Sequence, residues 1–89
     1  MQSSFVQLDT QIWKEGDMYV AHIPLLQLSS CGYTVEEAQK NIKEVTEIFF
    51  EETERKGTTK EVLEELGFTY DQEWEPPEIV KHEKMSVAI

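Results

Sequence analysis

Residues 34–57, TVEEAQKNIKEVTEIFFEETERKG, decide the fold. Thr34-Val35-Glu36-Glu37 has the pattern of a capping box. In that pattern the Thr hydroxyl accepts from the backbone N–H three residues on, and the Glu side chain reaches back. Apolar residues then fall at Val35, Ala38, Ile42, Val45 and Phe49, spaced 3, 4, 3, 4. At about 100° per residue they occupy an arc roughly 80° wide. Phe50 lies at the border of that arc and Ile48 clearly off it. The spacing predicts one long helix from Thr34 to near Lys56, burying these five residues against a sheet, with Gly57 as the left-handed C′ residue.

Upstream, the chain reads as β-structure. Val6, Leu8, Thr10 and Ile12 alternate and would share one face. Glu15-Gly16-Asp17 supplies a hairpin turn, since Gly admits the positive φ that tight hairpins need. Residues 18–23 form the return strand, ended by Pro24, which has no N–H for a ladder. A short third strand is expected over residues 25–31, closed by Gly32, with Cys31 as a buried thiol. Trp13 is expected in the core.

Downstream, Thr58-Thr59-Lys60-Glu61 repeats the capping-box pattern before a shorter helix carrying Val62, Leu63 and Leu66. Gly67-Phe68 suits a Schellman ending with Phe68 packing back. Pro76-Pro77 marks an extended connector, and residues 84–89 alternate as a final strand would. The expected fold class is α+β, in the order β-β-β-α-α-β. It has an antiparallel sheet of three to four strands and the main helix on one face. Residues 1–68 are read as the core, and 69–89 as a connector and strand at an oligomer interface.

Eighty-nine residues with 39% apolar content make one domain. A chain this short buries only about 60–65% of the surface its unfolded form exposes. It is therefore expected to gain stability as a homodimer or higher homo-oligomer. No run approaches the roughly 20 apolar residues of a membrane span. The N-terminus lacks the basic and apolar segments of a signal peptide, so a cytoplasmic location is expected. One cysteine fits a reducing compartment. Eight basic residues against 18 acidic ones give a net charge of −10. Such a surface repels phosphate backbones, disfavours direct nucleic-acid binding and steers toward a basic partner.

No catalytic constellation is apparent. Glu36, Glu44, Glu47, Glu51 and Glu54 fall opposite the apolar arc of the helix, where a solvated face or a docking face accounts for them. A metal-dependent nuclease needs carboxylates converging on one point, and this pattern spreads them along a helix. His22 stands on a strand with no second His at ligand spacing, and His82 is in the tail. Cys31 has no basic neighbour. Ser29-Ser30 lacks the glycines of a nucleophile elbow, and there is no Gly-rich phosphate loop. The chain is expected to be no enzyme and to hold no metal or cofactor. The candidate partner-binding residues are Glu44, Glu47, Glu51 and Glu54, with Ile48 off the apolar arc and Trp74 in the tail.

An ordered set of residues resembles the HicB-like antitoxins. It comprises Tyr19-Val20-Ala21, the corner Pro24-Leu25-Leu26, Gly32, Thr34, Glu37-Ala38 and Asn41-Ile42. The resemblance covers about residues 5–67. It departs at the corner, where Gln27-Leu28 stand in place of a common Pro-Gly, and Leu25 in place of a frequent acidic residue. The resemblance implies a partial ribonuclease-H-like arrangement. It also implies an antitoxin that neutralises a small basic HicA-type ribonuclease toxin by occluding its RNA-binding face. Many members carry a further DNA-binding domain, for which the 22 residues after Gly67 are too few to form a helix-turn-helix. The alternative is a free-standing homo-oligomeric HicB-like module with a structural or regulatory role and a partner other than a toxin.

Overall fold

A computed structural model describes residues 5–89. The first four residues of the expected 1–68 core lie outside it. Strands β1 (Gln11–Glu15), β2 (Met18–Ile23) and β3 (Leu28–Gly32) form an antiparallel sheet in the order β1-β2-β3. Helix α1 (Val35–Lys56) and a shorter α2 (Thr59–Glu65) follow, and a hairpin of β4 (Thr69–Asp71) and β5 (Glu73–Glu75) ends the regular structure. The class is α+β.

Glu15 pairs with Met18, so Gly16-Asp17 forms a two-residue turn with Gly16 at φ +62. The second turn consumes Pro24 to Gln27, and Ile23 pairs with Leu28. Gln27 closes it at φ +56, its N–H donating to Pro24 O at 3.2 Å. The third strand therefore begins at Leu28 rather than Leu25, and Leu26 folds inward to burial. This shift sets the side-chain parity of β3. Leu28 and Gly32 share the face of Ala21 and Ile23, whereas Ser29 and Cys31 project to the other. Cys31 is thus exposed, against the expectation of a buried thiol. Trp13 is also corrected. Ile12 takes the inward position of β1, and Trp13 stands 41% exposed on the open face.

α1 begins as expected. The Thr34 hydroxyl accepts from Glu37 N–H at 3.0 Å. Glu37 Oε1 accepts from Tyr33 N–H at 2.8 Å, one residue earlier than a capping box prescribes. The buried face is rotated from the expected one. Ala38 and Ile42 are buried as read, Val45 and Phe49 are half-buried, and Val35 is exposed. The helix lies against Gly32 of the sheet at Glu37 and Ala38, nearly one turn beyond Val35. Thr46 and Thr53 take buried positions that an apolar pattern does not count. Their hydroxyls are satisfied within the helix, by Ile42 O at 2.7 Å and Phe50 O at 3.0 Å. Truncating the half-buried Phe49, stacked edge-on at 5.1 Å against Phe50, costs less than the roughly 3–5 kcal/mol of a fully buried Phe.

Both helices end in Schellman motifs. At Gly57 (φ +71), the Gly57 N–H donates to Glu54 O and the Thr58 N–H to Thr53 O. At Gly67 (φ +94), the Phe68 N–H returns to Leu63 O at 3.0 Å, and Phe68 and Leu63 are both buried. The second capping box does not form. The Thr58 hydroxyl donates backward to Thr53 O, and the Thr59 and Thr53 hydroxyls share a 2.7 Å hydrogen bond.

The tail departs most from expectation. Residues 69–75 fold into the β4–β5 hairpin, turning at Gln72 (φ +71). The expected terminal strand over 84–89 does not form, and residues 76–89 have no regular structure. Alternation alone cannot pair a strand, and no edge of the chain's own sheets takes this one up. The radius of gyration, 15.2 Å, exceeds the about 12 Å of a compact chain of this length.

Candidate functional site

α1 packs on β2 and β3 and leaves the inner side of β1 largely uncovered. The N-terminal arm, residues 5–10, runs beside that gap. It is tied to β5 by a parallel bridge in which Trp74 N–H donates to Phe5 O and Gln7 N–H to Trp74 O, both at 2.8 Å. Gln7 Nε2 also donates to Glu73 Oε1 at 2.9 Å. Between arm and helix lies an open groove of about 1440 Å³. Val6, Leu8 and Ile12 form one wall, with Ile42, Thr46 and Phe50 opposite. Trp74 also lines it, and Lys43, Glu47, Glu51 and Glu54 line the helix side.

The expected partner-binding residues are thus divided. Glu47, Glu51, Glu54 and Trp74 come together at this groove. Glu44 and Ile48 lie outside it, and Ile48 is 64% exposed. The ion pairs among the described residues join Glu52 to Arg55, Glu52 to Lys56 at 3.6 Å, and Lys81 to Glu83 at 3.4 Å. The two cations of the last turn of α1 are therefore both taken by Glu52, and Glu44, Glu47, Glu51 and Glu54 make no ion pair among the described residues. The result is an acidic ridge between the groove and Ile48.

The arm residues that wall the groove were not among the expected site residues. Their signal was the alternation of Val6, Leu8, Thr10 and Ile12, which correctly put them on one face but implied a paired strand. Only Ile12 lies within β1.

A second surface is the sheet face away from α1. Trp13 meets His22 edge-on at 6.1 Å, and its Nε1 donates to Glu15 Oε1 at 3.1 Å. His22 Nδ1 and the Ser29 hydroxyl share a 2.6 Å hydrogen bond. His22 is thus held by its neighbours on the sheet.

Among the described residues, no three His, Cys, Asp or Glu side chains are placed to hold a metal ion together. No helix among them is long and apolar enough to cross a membrane. Comparison of the chain with protein-family models, with curated proteins and with solved structures gives no significant match.

Proposed function

We propose that this domain is a cytoplasmic binding protein of the HicB-like antitoxin type, which neutralises a small basic HicA-type ribonuclease toxin by covering its RNA-binding face. The observation that carries the reading is the acidic ridge of α1. Glu44, Glu47, Glu51 and Glu54 stand exposed, with no ion pair among the described residues, beside the exposed Ile48. A surface that binds RNA carries positive charge where phosphates sit. A row of carboxylates on a rigid helix can take the place of those phosphates, steering encounter and fixing register, while Ile48 supplies an apolar anchor.

The residues that resemble the family also hold positions the fold depends on, which supports the reading. Ala21 and Ala38 are fully buried. Gly32 allows α1 to touch β3, and Thr34 and Glu37 cap the helix. Asn41 Nδ2 donates to Cys31 O at 2.8 Å, pinning α1 to the strand beside the buried Ile42. A partial ribonuclease-H-like arrangement, with three antiparallel strands followed by a helix across them, belongs to the same proposal. The alternative, a homo-oligomeric module without a toxin, is favoured by the uncovered apolar tail.

The test is a pull-down from the native host followed by titration of the recovered basic partner. Replacing Glu44, Glu47, Glu51 and Glu54 together with Gln should weaken binding about tenfold or more and flatten its salt dependence. The basis is that exposed charge pairs contribute about 0.2–1 kcal/mol each. Unchanged affinity and unchanged salt slope would remove the ridge from the interface.

A further inference from the structure

We propose that the groove between the N-terminal arm and α1 receives residues 84–89 of a second copy of this chain, so that two copies exchange tails. The inference concerns self-association and needs no toxin.

The tail is apolar and uncovered. Val80, Met85 and Val87 are 91%, 82% and 71% exposed. Met85, Val87 and Ile89 lie on one side of an extended chain, with Ser86 and Ala88 on the other. The groove offers the matching surface in Val6, Leu8, Ile12 and Phe50. Among the described residues the outer edge of β1 has no partner strand, so backbone groups of an incoming strand can be met there.

Charge selects this segment. On a chain of net charge −10, the side chains of residues 79–89 carry two lysines against one glutamate. The helix side of the groove carries Glu47, Glu51 and Glu54 against the single cation Lys43, a net negative lining. Docking brings Lys84, next to the apolar triplet, toward these carboxylates.

The occupant comes from another copy because the chain is not built to double back. Pro77 leaves the body against Gly67, where an added Cβ would sit 3.4 Å from Pro77 Cγ. Pro76-Pro77 is stiff and extended. Residues 78–85 contain no Gly, Pro, Asn, Asp or Ser, the residues that reverse a chain. Nothing in this segment turns it back toward its own groove, and a two-fold axis lets each copy fill the other's.

Light scattering at micromolar concentration should give about twice the 10.4 kDa chain mass. The double variant Val87→Asp, Ile89→Asp should be monomeric with an unchanged circular dichroism spectrum. A monomeric wild type overturns the proposal, and so does a double variant that remains dimeric. Should the double variant lose its fold, a second measurement decides. In a chain with Cys31→Ser, Leu8→Cys and Val87→Cys, mixed from ¹⁵N-labelled and unlabelled copies, oxidation should join residues 8 and 87 of different copies. Disulfides confined to single copies, or none between these positions, overturn the exchange.

Discussion

Phe68→Ala is expected to destabilise the domain by about 3–5 kcal/mol, the usual cost of emptying a fully buried Phe site. Phe68 is 3% exposed and stands at the C″ position of the second Schellman motif, with the fully buried Leu63 at C3. Its ring holds the end of α2 in place and precedes the hairpin that anchors the N-terminal arm. A domain of this size has a total stability of about 4–13 kcal/mol, so the loss is a large share of what is available. Urea denaturation followed by circular dichroism measures it. A loss under about 1 kcal/mol would show that α2 is not packed as described.

Gly32→Ala is expected to cost about 3 kcal/mol, for a different reason. Gly32 does not have a positive φ, so the cost is steric rather than conformational. An added Cβ would lie 2.7 Å from Ala38 N and 2.8 Å from Glu37 Cβ. The first of these is backbone in the second turn of α1 and cannot swing aside. The helix must move off β3, straining the Asn41 bond to Cys31 O and the packing of Ala38 on the sheet. The same denaturation experiment measures it, and a neutral Gly32→Ala would mean that α1 and β3 are further apart than described.

The long helix was readable from particular residues because its signals are local. Thr34 satisfies an amide three residues away, and Gly57 terminates through its own φ. The burial of Thr46 and Thr53 was not readable. Their hydroxyls are satisfied by carbonyls one turn back, a pairing that leaves no trace in a hydrophobic pattern. The exposure of Cys31 follows from the turn ending at Gln27, which sets where β3 begins. Trp13 is exposed because Ile12, its neighbour in the alternation, takes the inward position of β1, and size alone does not place a Trp in the core. The candidate site was half legible. The glutamates were visible as a helical stripe, and the arm residues as one alternating face. Their meeting across a groove depends on which strands α1 covers, and that is a property of the packing. The alternation of 84–89 is legible as a strand, but its pairing partner is not a local property.

The clasp between the N-terminal arm and β5 has a consequence for the order of events in folding. β1, β2, β3 and α1 are joined by short turns, so their contacts are local and form early. Gln7 and Glu73 are 66 positions apart. Their contact closes only after the intervening chain has folded and brought both ends together. The two backbone bonds of the clasp can then break without disturbing the sheet. In native-state hydrogen exchange, the amides of Gln7 and Trp74 should exchange through local opening, whereas that of the fully buried Ala21 waits for global unfolding. Exchange by that route would mean that one wall of the groove opens without unfolding the body.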